Sequence, residues 1–174
     1  MADDSLSKPP KVKTVRQAVL TGTLLVLIDA FWLNQGIIAG FVGAGLLVIG
    51  LPLALLKRAA PARTPRLRNL AIYMASVVLV FVLNAMNNRI AATRAEGIIS
   101  SVKAFHTKNG RYPESLNNLV PEFLDHIPLA KYTLSQNRFL YQVTEGRAAL
   151  IYVEVPPFGH SIYRFSENKW DYMD

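Results

Sequence analysis

Three histidines, a serine pair and a few carboxylates are the groups in this chain with chemistry to offer, and their spacing joins few of them. His106 falls near the end of a helical pattern, His126 in a loop and His160 in a turn. A zinc site needs ligands that converge in a tetrahedron, and no spacing among these histidines supplies one. Ser100-Ser101 precede His106. A nucleophilic serine needs a sharp strand-to-helix turn to project its hydroxyl, whereas this pair sits in an amphipathic helical pattern and is expected on its solvated face. Glu122, Asp125 and His126 could form a polar cluster, but beside Pro128 a solvated loop is the ordinary reading. No glycine-rich phosphate loop follows a strand. The chain has no cysteine, so disulfides, thiolate metal sites and a cysteine nucleophile are excluded. The sequence predicts a non-enzyme with no cofactor and no metal.

One acid lies inside an apolar run. Asp29 interrupts Gln17–Leu33, and a carboxylate within a membrane is a candidate proton or ion site. It lies about one helical turn from the end of the run, so the expectation is that it reaches water.

The apolar runs themselves set the organisation. Ile37–Leu56 is twenty residues without a charge, the length needed to cross a hydrocarbon core of about 30 Å. The link Asn34-Gln35-Gly36 is so short that residues 17–56 must form a tight transmembrane hairpin. Phe31 and Trp32 fall at its tip, where amphipathic rings favour the headgroup zone. Gly36 and Gly40 have the spacing that lets membrane helices approach closely, within the hairpin or between copies. A third apolar run, within residues 69–86, follows Lys57, Arg58, Arg63, Arg66 and Arg68. Segment 57–68 thus carries five cations and no acid, and such loops stay cytoplasmic. The tail 1–16, with Lys8, Lys11, Lys13 and Arg16, agrees with it. Three spans then deliver residues 87–174 to the opposite side, the periplasm of a bacterium.

Charge is distributed accordingly. Residues 1–86 hold nine Lys or Arg and three Asp, a net of +6, and residues 87–174 hold ten against nine, a net of +1. A nucleic-acid binder would carry its basic patch on the folded half; this half is nearly neutral, so nucleic acid is not an expected partner.

Beyond the third run, Ala91, Ala95, Ile98, Val102 and Phe105 recur at spacings of three and four, one apolar stripe on a helix. Asn109-Gly110 ends it. Pro113 suits the first position of a short helix with Leu116, Leu119 and Val120 inward, limited by Pro121. Alternation then predicts strands at Tyr132–Leu134, Phe139–Val143, Ala148–Val155, Ser161–Phe165 and Lys169–Tyr172, joined by short turns as an antiparallel meander. The fold class expected is three transmembrane helices, the third running into an amphipathic helix packed on that sheet. In the turn Pro156-Pro157-Phe158-Gly159-His160 two prolines stiffen an aromatic that has no obvious core to enter, which makes Pro156, Pro157, Phe158 and His160 a candidate protein contact.

A spanning helix that becomes amphipathic, then Asn109-Gly110-Arg111-Tyr112-Pro113-Glu114-Ser115-Leu116 with Leu119, then an antiparallel sheet, resembles type IV pilins and the major pseudopilin of type II secretion. The resemblance covers about 70–174 and implies a pilin-like periplasmic domain linked to a pilus or secretion apparatus. Pilins are cleaved after a glycine, and Asn69 stands at that place here, so the third span is expected to stay uncut. The function expected is a non-catalytic accessory or interaction protein of the inner membrane, with the lipid bilayer and an envelope protein as partners and a homo-oligomer left open. The alternative is an immunity protein against an envelope-acting toxin.

Overall fold

A computed structural model describes residues 13–56 and 60–173, with the side chains of 56 and 60–63 left aside. The first helix, α1, is α-helical over Val15–Val26 and π-helical over Leu27–Leu33. Thr14 and Gln17 cap it reciprocally, each side chain taking the other's backbone N–H. Asn34 and Gly36, both at positive φ, reverse the chain. The second helix, α2, runs through Ile37–Gly45, a π segment Leu46–Gly50 and Leu51–Leu56. The third, α3, is a single helix over Ala60–Asn109.

Residues 60–68, expected as part of a loop, are therefore the first turns of α3, while 57–59 lie outside the described residues. Pro61 fits a first turn, where N–H groups lack intrahelical acceptors, and alanine, arginine and leucine favour helix around it. Pro65 forfeits one bond.

All three helices have stretches long and apolar enough to cross a membrane. They pack up, down, up. Val26, Ala30, Ala39, Val77 and Val80 form their shared core. At the start of α1, the Asn69 side chain donates to Lys13 O at 2.6 Å. From Asn69 to Asn87 is eighteen residues of α3, about 27 Å at 1.5 Å per residue.

α3 then enters a second core. Ala91, Ala95, Ile98, Ile99 and Val102 bury against Leu116, Leu119, Phe139, Leu150, Tyr152, Tyr163 and Phe165. Phe105, expected in the seam, is only partly buried at its rim, edge-on to Phe123 with centroids 5.5 Å apart. Ser101 is buried rather than solvated and lies 2.8 Å from Phe123 O, whereas Ser100 is exposed. Gly110, at φ +70°, stops α3. The short helix is one 3₁₀ turn, Leu116–Leu119, that starts after Ser115 rather than at Pro113. The reason is capping: Asn118 Oδ1 accepts the Ser115 backbone N–H at 2.9 Å. Leu116 and Leu119 point inward as expected, but Val120 is exposed.

Four strands, β1 (Leu140–Thr144), β2 (Arg147–Val155), β3 (Gly159–Arg164) and β4 (Lys169–Met173), form an open antiparallel sheet in sequence order. Tyr141, Leu150, Tyr163 and Trp170 share one row on the face that meets α3. The fifth candidate strand, Tyr132–Leu134, is absent. Its alternation is real, with Lys131 and Thr133 buried and Tyr132 and Leu134 exposed, but its N–H groups bond to helices instead of a neighbouring strand.

Candidate functional site

The direction of the sheet decides which end of the domain faces the apolar helices. Lys103 Nζ donates to Asn168 Oδ1 at 2.5 Å, and Trp170 Nε1 to Glu96 Oε1 at 3.2 Å. Moving from Asn168 to Trp170 along the chain thus steps back along α3 from Lys103 to Glu96, about 10 Å toward Asn87. Another three residues reach Met173, which pairs with His160. The β2–β3 turn, Pro156–Phe158, lies just beyond that pair. It points to the helical bundle, and the turns 145–146 and 166–168 point away.

A loop arrives at the same end. Tyr132 N–H donates to Asn87 Oδ1 at 3.2 Å, and Leu134 N–H to Phe31 O at 2.8 Å. The Ser135 hydroxyl donates to Trp32 O. Arg94 grips the loop from above, donating to Leu129 O at 2.8 Å and to the Tyr132 hydroxyl, with its guanidinium 4.4 Å from the ring centroid. Inside the loop, Ala130 N–H bonds to Asn137 O at 2.7 Å and the Asn137 side chain to Thr133 O at 2.8 Å. Residues 130–137 are therefore a folded clamp that joins the tip of the α1–α2 hairpin to α3.

Two buried polar side chains hold this region. Asp29 is fully buried, not in reach of water as expected. Its carboxylate accepts Gly36 N–H at 2.8 Å and Ala39 N–H at 2.7 Å. These are orphan donors at the start of α2, and an acid there also meets the positive end of the helix dipole. Lys131, within the clamp, is buried, with Nζ donating to Glu154 O at 2.7 Å. Burial lowers its pKa from 10.5 to about 8, against an opposing pull from the Glu154 carboxylate. That carboxylate is itself held by the Ser161 hydroxyl at 2.6 Å.

The expected glycine contacts divide. A Cβ at Gly36 would sit 3.0 Å from Phe81 Cε1, and its φ of +72° favours glycine. Gly40 has nothing within 4 Å among the described residues, so it supplies no close approach. Gly22, against the Ser76 hydroxyl, and Gly43, 3.1 Å from Val77 Cγ1, do so instead, both toward α3. These two lie off the spacing pair because the contact is with the third helix, not within the hairpin.

In the β2–β3 turn Pro156 is buried, Pro157 is exposed and Phe158 is 72% exposed. His160 Nδ1 lies 2.5 Å from Phe158 O. His106 stacks on Tyr112 at 4.2 Å and His126 is exposed in its loop, so the three histidines sit on three separate elements. Among the described residues no group of three or more histidines or carboxylates is arranged to hold a metal ion. A groove of about 540 Å³ runs beside β1, lined by Ser115, Ile127, Leu129, Arg138 and Leu140 among others. No family model matches this chain, and no curated protein or solved structure shows detectable similarity to it.

Proposed function

We propose that this protein is a non-catalytic accessory protein of a bacterial inner membrane, held by three spans, which displays its C-terminal domain in the periplasm to an envelope protein. The observation that carries this reading is the unbroken course of α3, which leaves an apolar bundle and becomes the central helix of a separate sheet-covered core. Such a helix transmits position rigidly from bundle to domain. The outward side chains of the bundle support the bilayer: Leu20, Leu24, Phe41, Val48, Ile49, Val78 and Phe81 are all exposed, far more apolar surface than a water-soluble protein shows. A long helix under an antiparallel meander also fits the pilin-like resemblance, which favours a pilus or secretion apparatus as the setting.

The partner docks beside β1. This strand is an edge of the described sheet, so it offers unpaired backbone groups to an added strand. Leu129 and Leu140 stand exposed along the groove. A photo-crosslinking residue at Leu140, introduced in native membranes, is expected to trap one envelope protein, with no protein adduct from Phe158. A structural component of an apparatus supports the accessory role, whereas a toxin supports immunity. Protein adducts only at Phe158 would move the contact to the turn, and none at either position would contradict an interaction role.

A further inference from the structure

The apolar side chains at the bundle-facing end of the domain have no protein to cover them. Leu134 is 76% exposed, Phe158 72% and Trp32 60%, joined by Tyr132 and Met173. They come from four separate places, the hairpin tip, the 130–137 clamp, the β2–β3 turn and the end of β4, yet all lie at the end of the domain nearest the apolar helices. Leu134 is fixed there by its own backbone bond to Phe31 O. Phe158 is fixed by the strand pairing that ends at His160 and Met173.

We propose that Trp32, Leu134 and Phe158 form an interfacial foot that seats the domain in the headgroup region of the bilayer. The surface continues the exposed apolar belt of the three helices, which is why its occupant is lipid and not a further protein. Trp32 and the neighbouring Tyr132 fit that zone, since rings with an apolar body and a polar tip settle at headgroup depth, and Leu134 and Phe158 add apolar surface beside them. The cations Arg89 and Arg94 follow Asn87 on α3 within about two turns, at the height of lipid phosphates. With three supports the domain stands at one fixed angle. Phe158 thereby becomes a lipid contact where the sequence suggests a protein contact.

This inference rests on the spanning reading, and one experiment separates the two. The chain has no cysteine, so single-cysteine variants can carry an environment-sensitive fluorophore at chosen places. Leu134→Cys, Phe158→Cys, Val48→Cys and Arg147→Cys of the full chain would be reconstituted in phosphatidylethanolamine–phosphatidylglycerol vesicles. All four positions are exposed, so substitution spares the core. Spin labels on the headgroup should quench Leu134 and Phe158 with blue-shifted emission and leave Arg147 unchanged. A mid-chain spin label should quench Val48. If Leu134 and Phe158 behave like Arg147 while Val48 is quenched, the foot is wrong and the spans stand. An unquenched Val48 overturns both.

Discussion

Asp29 spends its carboxylate on two backbone N–H groups, and its burial follows from that. The hairpin turn leaves the first amides of α2 without acceptors, in a place where water is scarce. Each oxygen of Asp29 takes one of them. Asp29→Ala strands both donors, and an unsatisfied buried donor costs about 1–3 kcal/mol. The expected result is a lower unfolding midpoint in detergent for Asp29→Ala, with a smaller loss for Asp29→Asn, which keeps one acceptor. An alanine variant as stable as the parent would mean that these amides reach water. Lys131 gives a different signature. In the folded protein it releases its proton near pH 8, whereas the unfolded chain holds it to 10.5. Between those values the unfolded state binds more protons, so stability rises with pH across the window. Below it the cost of burying the cation is fully present. Thermal melts from pH 8 to 10.5 should show this rise in the parent and a flatter profile in Lys131→Met, the difference between the two isolating this group from other titrations.

At the scale of elements, α3 carries the fold, and its two halves are stabilised by different neighbours. Ile98 is fully buried under the sheet, so Ile98→Ala should cost about 2–5 kcal/mol. Phe105 sits at the rim beside Phe123, and Phe105→Ala should cost less than Ile98→Ala when both are measured by denaturant unfolding. The reverse order would place the seam elsewhere. Periodicity made much of this legible: the stripe from Ala91 to Val102, the glycine stop at 110 and the four strands are local patterns that the final packing reinforces. The 130–137 clamp was not legible. Its alternation has the period of a strand, but its hydrogen-bond partners are Phe31 and Trp32, about a hundred residues earlier, and Asn87. Nothing local distinguishes a segment that bonds to a helix tip from one that bonds to a strand. The bundle-facing position of Phe158 was hidden for the same reason, since it depends on how β4 runs along α3. Asn87 and Arg94, placed just after an apolar run, were the available hint that something docks at that level.

On the scale of the whole molecule, one rigid helix joins two cores of opposite character. The bundle is apolar outside, and the domain carries its apolar residues within and at its lower rim. The setting proposed for this arrangement is a bilayer around the bundle with the domain seated on its surface. The proposed orientation rests on charge, because segment 57–68 carries five cations and no acid and precedes the apolar part of α3 in the chain. Single-cysteine accessibility tests this directly. Ala62→Cys and Arg147→Cys, expressed in a bacterium, would be treated with a membrane-impermeant maleimide before and after permeabilisation of the inner membrane. A three-span protein with a periplasmic domain is labelled at 147 in intact spheroplasts and at 62 only after permeabilisation. Labelling of both positions from the same side, or of position 62 alone from outside, would contradict it.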